Sequence, residues 1–134
     1  MNINRLAAWS ASGVVLVTAL AGLWLAGAPR AERERRVDAQ RVAALQDVAR
    51  VVSVYFSASG TLPPDLDSLV DGRNLMALPR DPLSGEVYDY LPSGPASYQL
   101  CASFDAASES EPGGVWAHDA GYVCFRLSAS YGNN

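Results

Sequence analysis

The sequence predicts an α+β protein: a charge-free N-terminal helix leads into a long amphipathic stem helix, and the stem packs on a small antiparallel sheet. Three observations predict it. No charged residue occurs from Leu6 to Pro29; apolar residues recur at three-four spacing between Arg33 and Phe56; and two late segments alternate apolar with polar, each carrying one of the chain's 2 cysteines. With 134 residues in all, the part beyond the first quarter suffices for one small domain. The organisation expected is a flank over 1–5, a transmembrane helix over 6–29, a stem over 30–60 and a β head over 61–134 packed on the stem.

Residues 6–29 hold Val14, Val15, Leu16, Val17, Leu20, Leu23 and Leu25, with Trp9 and Trp24 toward the two ends. About 20 apolar residues cross a bilayer, and tryptophans favour its interfaces. An uncleaved anchor is expected over a signal peptide. The small-residue site Ala26-Gly27-Ala28 is followed by Pro29, and a cut after Ala21 leaves an apolar run on the mature end. No cysteine lies nearby to carry a lipid. Orientation draws on opposing signals. Arg30, Arg33, Arg35, Arg36 and Arg41 after the span, against Arg5 before it, favour a cytoplasmic head. The cysteines favour the outside, and an extracytoplasmic head on a single-pass inner-membrane protein is the expectation.

In the stem, Val42, Leu45, Val48, Ala49, Val52, Tyr55 and Phe56 form one helical face. Arg36, Gln40, Asp47, Arg50 and Ser53 form the solvated one. Gly60 and the pair Pro63, Pro64 predict the stop near 57–60. A short helix is expected over 63–70, and Asp65 and Asp67 read there as first-turn carboxylates rather than as an acid-base pair.

Asp81-Pro82 and Ser84-Gly85 are turn signals before a strand over 87–91. Tyr98, Leu100, Ala102 and Phe104 alternate with Gln99, Cys101 and Ser103; Val123, Phe125 and Leu127 alternate with Tyr122, Cys124 and Arg126. Placing Cys101 opposite Cys124 puts both apolar faces on one side of the sheet and both sulfurs on the other, so register and chemistry agree on a disulfide.

Catalytic, cofactor and metal sites are expected to be none. His118 is the only histidine, the cysteines lack zinc-motif spacing, and no G-x-S-x-G elbow or Walker loop occurs, Gly113-Gly114 lacking a following lysine. Trp116, His118 and Gly121 read as a loop packed on the sheet. Asp105, Glu109 and Glu111 match no calcium-loop spacing and read as a solvated loop. A net charge of -4, with the arginines clustered before residue 42, gives the head an acidic balance and excludes nucleic acid as a natural partner.

The run Gly60-Thr61-Leu62-Pro63 with Leu66 and Leu69, then Asp81-Pro82-Leu83-Ser84-Gly85 with Tyr88 and Tyr90, then a hairpin, resembles the major pseudopilins of type II secretion systems. The resemblance covers residues 36–127. It implies a pilin-like fold and a non-enzymatic subunit assembling in the periplasm through its N-terminal helix. The processing signal departs from that pattern. Gly13 is followed by Val14, Thr18 stands where the family has a glutamate, and the apolar segment has no glutamate at all. A fixed membrane-anchored module therefore stands beside the filament subunit as an expectation. The stretches Tyr98 to Ala102, Trp116-Ala117-His118 and Cys124-Phe125 also resemble uncharacterised bacterial pilin-like membrane proteins. The partners expected are the lipid bilayer and an envelope protein, with a ligand- or peptide-binding module as the alternative function.

Overall fold

The structure, a computed structural model, describes residues 3–25, 29–108 and 113–130. Two helices, α1 (Ile3–Leu25) and α2 (Pro29–Ser59), precede three strands, β1 (Asp89–Pro92), β2 (Ser97–Phe104) and β3 (Gly121–Ser128). The chain divides into two units, Met1–Arg33 and Glu34–Asn134.

Leu, Val and Ala carry α1, and its one described hydroxyl stays inside the helix: Thr18 Oγ1 donates to the carbonyls of Val14 and Val15 at 2.8 and 3.0 Å. Val14, Val15, Leu16, Val17, Leu20, Leu23 and Trp24 are all exposed. The transmembrane helix expected over 6–29 is not reproduced as drawn. The helix ends at Leu25, residues 26–28 lie outside the described residues, and among the described residues no helix is long and apolar enough to cross a membrane.

α2 follows the expected stem closely, and Gly60 ends it as foreseen. Its φ of 74° suits the left-handed stop that glycine accepts without strain, and its N–H donates to the Phe56 carbonyl at 2.8 Å. The buried stripe is rotated from the one expected. It runs Asp38, Arg41, Leu45, Val48 and Val52, with Val51 beside it, while Val42, Ala49, Tyr55 and Phe56 flank it half-buried. The two charged members at its head come from the segment that the sequence offers as membrane flank.

Between α2 and the sheet, the short helix expected over 63–70 shrinks to a 3₁₀ turn, Asp67–Leu69. The Pro63 carbonyl accepts from the Tyr90 hydroxyl at 3.0 Å instead of opening a helix, and Asp65 Oδ1 takes the Ser68 N–H at 2.9 Å. Leu66 and Leu69 still reach the core. The strand expected over 87–91 starts late, at Asp89, because Val87 bridges back to Arg80 across the turn over 81–86.

The sheet has order β1-β2-β3 and is antiparallel throughout. β2 occupies the expected residues, and the register places Cys101 opposite Cys124. Their sulfurs are bonded at 2.09 Å. Tyr98, Leu100, Ala102, Phe104 and Phe125 from the sheet join Leu45, Val48, Val51 and Val52 of α2 in one apolar core, so helix and sheet bury each other's apolar faces.

The sulfur-bearing face is less open than its polar neighbours imply, with Cys101 only 1% exposed. Tyr122 on β3 donates its hydroxyl to Asp89 on β1 at 2.6 Å. Because β2 lies between those strands, this side chain spans the face that carries the disulfide. The bond to Asp89, with a smaller contribution from burial, raises the Tyr122 phenol above its usual range. Tyr122→Phe is expected to cost no more than about 1 kcal/mol in urea unfolding, since an exposed hydrogen bond exchanges readily with water. It should also remove one upward-shifted phenol from an ultraviolet titration.

Candidate functional site

Among the described residues of Glu34–Asn134, a dense polar constellation centres on Arg41. Its side chain is 6% exposed and meets three carboxylates, Asp38 at 2.8 Å, Asp81 at 2.5 Å and Asp105 at 2.7 Å. Asp38 and Arg41 lie one turn apart on α2, which aligns them on one face. Asp81 comes from the turn before β1 and Asp105 from the end of β2. The guanidinium fork distributes its donors: Nε and Nη2 to the two oxygens of Asp81, and Nη1 to Asp38 and Asp105.

Each buried carboxylate also binds backbone. Asp38 accepts the Asp105 N–H at 3.1 Å and the Ala106 N–H at 2.8 Å. Asp81 Oδ1 accepts the Leu83 and Ser84 N–H groups at 2.9 and 2.8 Å, and Gly85, at φ 73°, closes the turn onto the Asp81 carbonyl. This explains the local run Asp-Pro-Leu-Ser-Gly: the aspartate shapes its own turn while clamping a helix 40 residues upstream. Burial opposes ionisation of Asp81, but the Arg41 bond and then the Ser84 and Leu83 N–H groups outweigh it and hold the carboxyl at about 2. Burial likewise opposes charge on Arg41 and is outweighed by its bonds to Asp81, Asp105 and Asp38, so its pKa is raised. The neighbouring Tyr88 hydroxyl is buried without a hydrogen-bond partner among the described residues, and burial and then the Asp81 charge raise its pKa.

A second feature is a groove of about 490 Å³ between the start of α2 and the segment after residue 113, lined by Asp38, Val42, Gln46, Ser108, Trp116 and His118 among others. The His118 ring stacks on Phe104 at 3.7 Å, and Trp116 leans on Phe125 at 4.9 Å. The backbone of His118 exchanges bonds with Ser108, its carbonyl accepting the Ser108 N–H at 2.8 Å and its N–H reaching Ser108 Oγ at 3.0 Å. Trp116 and His118 thus pack as a loop on the sheet, as the sequence reading has it.

The remaining candidates separate. Cys101 and Cys124 are joined to each other. Asp65 caps a turn, and Asp67 opens the 3₁₀ turn exposed to solvent. Asp105 is drawn onto Arg41 rather than left to solvent, while Glu109 and Glu111 lie outside the described residues. Among the described residues no group of three or more His, Cys, Asp or Glu is arranged to hold a metal ion. Arg41, counted in the sequence as a flank charge, is corrected to an interior residue, because three aspartates neutralise it there.

These features define a class: a small α+β head, helix on antiparallel sheet, closed by one disulfide and by one buried ion cluster. No family model, curated protein or solved structure matches the chain.

Proposed function

We propose that this chain is a membrane-anchored, non-catalytic structural or interaction subunit of a cell-envelope complex, with a pilin-like head outside the cytoplasmic membrane. The observation that carries the reading is the use made of buried charge. Asp38, Arg41, Asp81 and Asp105 are committed to one another and to backbone amides, fastening α2 to two loops. A reacting centre needs groups free to change partners or protonation state; this cluster is built for fixity.

Two further features support the reading. From Leu6 onward the first helix, α1, lies in a stretch with no charge up to Pro29, an apolar character that suits a membrane-associated N-terminal segment. A disulfide across β2 and β3 fits an oxidising compartment.

Purification in mild detergent is expected to bring down a stoichiometric membrane protein. A solitary monomer would overturn the subunit reading in favour of an exported ligand- or peptide-binding module, for which the groove beside Trp116 is the observation. A C-terminal alkaline phosphatase fusion should be active; an inactive fusion, with both thiols reacting with maleimide only after spheroplast lysis, places the head in the cytoplasm and sinks the export reading.

A further inference from the structure

We propose that the free edge of β3 accepts an extended acidic segment of a partner protein, which adds to the sheet as a fourth strand. The inference rests on the interaction-subunit reading and names its contact surface.

Among the described residues β3 has one neighbour, β2, and an unbroken eight-residue register with it. The next bond along the ladder, from the Ala129 N–H to the Ala96 carbonyl at 2.8 Å, fixes which backbone groups face inward. Residues 121, 123, 125 and 127 share the parity of Ala129 and point at β2. The N–H and C=O groups of Tyr122, Cys124, Arg126 and Ser128 therefore point away from the sheet, with no backbone partner among the described residues. Sheet edges are ordinarily blunted by shortness, proline, charged side chains, a bulge or a covering element. The opposite edge is blunted in this way, since β1 has four residues and ends in Pro92, which has no N–H. β3 is long, regular and proline-free, and its single charge, Arg126, is one that an oppositely charged strand would neutralise.

A groove runs beside this edge, open to solvent and about 1700 Å³ in volume, with Ser53, Val54 and Ser57 of α2 on one wall, Arg126 and Ser128 on the other, and Trp116 at one end. Its charge selects the occupant. Beyond Arg41 the chain has four arginines, and two of them, Arg50 and Arg126, line this groove, where no carboxylate does. Acidic residues outnumber basic ones 14 to 10 in the chain as a whole, so the groove stands out in sign. Arg50 is tied to Asp47 at 2.9 Å, whereas Arg126 makes no ion pair among the described residues. A residue paired opposite Arg126 in an added strand shares its face of the sheet, and a carboxylate is favoured there. The alternate residues point toward α2, where Val54 is 44% exposed, and are favoured to be apolar. The occupant is a strand alternating acidic and apolar residues, held by main-chain bonds and selected by Arg126.

The test uses the full chain in detergent micelles and a labelled, end-capped peptide of eight residues alternating Glu and Val, matched to the length of β3, read by fluorescence anisotropy at low salt. Saturable binding is expected. Arg126→Glu should weaken it about tenfold or more and improve binding of the matching Lys-Val peptide, as a charge swap requires. Ser128→Pro, which removes an outward N–H and leaves the β2 ladder alone, should also weaken it about tenfold. N-methylating alternate peptide residues should do the same without altering the protein. Leu91→Lys on β1 should change nothing. No binding by the unaltered chain, equal affinity for both peptides, or indifference to Ser128→Pro and N-methylation would overturn the proposal. Concentration-dependent dimerisation abolished by Ser128→Pro would assign the edge to a second copy and overturn it too. If a co-purified partner stays bound to both β3 variants, this inference fails while the subunit reading stands; if the unaltered chain brings down no partner, the subunit reading fails by itself.

Discussion

Replacing Arg41 with alanine is expected to destabilise the head by about 3–5 kcal/mol, read as a lower urea midpoint with the slope unchanged. Asp38 is 4% exposed, and the Asp81 side chain is 11% exposed. Without the guanidinium both carboxylates remain buried beside each other, repelling and uncompensated. Arg41→Lys should recover only part of the loss, because an ammonium cannot present the fork that Nε, Nη1 and Nη2 use to reach three acids. Buried ion pairs can often be exchanged for apolar side chains of similar size at little cost, but this one should resist. In Asp38→Leu/Arg41→Met the Asp105 and Ala106 N–H groups lose the carboxylate that accepts them, and Asp81, its side chain 11% exposed, keeps its charge without the guanidinium that compensates it. A double variant as stable as the parent would show that the cluster contributes nothing to holding the loops.

The same cluster sets an acid limit. The Asp81 carboxyl lies at about 2 in the fold against an ordinary value of 3.8, so the folded state binds this proton less readily than the unfolded chain does. Its contribution is fully present above the ordinary value and is lost as pH falls through about 2. Stability should therefore decline below about pH 4, and Asp81→Asn should flatten that decline while lowering the plateau at neutral pH.

How much of this was legible depended on whether local pattern or distant contact decided the outcome. β2 and β3 were legible because period-two alternation fixes faces, and one slip would turn every side chain over. The cysteine pair followed from the same parity. The end of α2 was legible from Gly60 and the prolines after it. The length of β1 was not, because Val87 is spent on Arg80 across a turn whose geometry Asp81 sets. The ion cluster was the largest omission, for a physical reason. Charged residues in the first turns of a helix beside an apolar segment read as solvated flank, and nothing local says that Asp81 and Asp105 arrive to meet them from 40 and 64 residues away. One signal was present. Asp38 and Arg41 extend the 3-4-3-4 spacing of Leu45, Val48 and Val52 backward without a break, so two opposite charges occupied core positions of the stripe and needed partners there.

Replacing Cys101 with serine is expected to cost about 2–5 kcal/mol, the range for removing a native bridge from a small domain. The residues it joins are 23 apart in sequence, and closing such a loop is worth about 3 kcal/mol in the chain-entropy model. Two contributions separate the single variants. Both lose the cross-link, but Cys101 is 1% exposed beneath the Tyr122 to Asp89 bridge, whereas Cys124 is half-buried at the edge. Serine at 101 therefore also buries a hydroxyl, and Cys101→Ser should be the more damaging, with Cys101→Ala recovering part of the difference. The double serine variant should cost little more than Cys101→Ser alone, because the two sulfurs act through one shared bond. Reducing the parent chain before urea unfolding should reproduce the loss of the cross-link and no more. If reduction leaves the midpoint unmoved while Cys101→Ser lowers it, the bridge contributes nothing to stability and the cost lies in the buried hydroxyl alone.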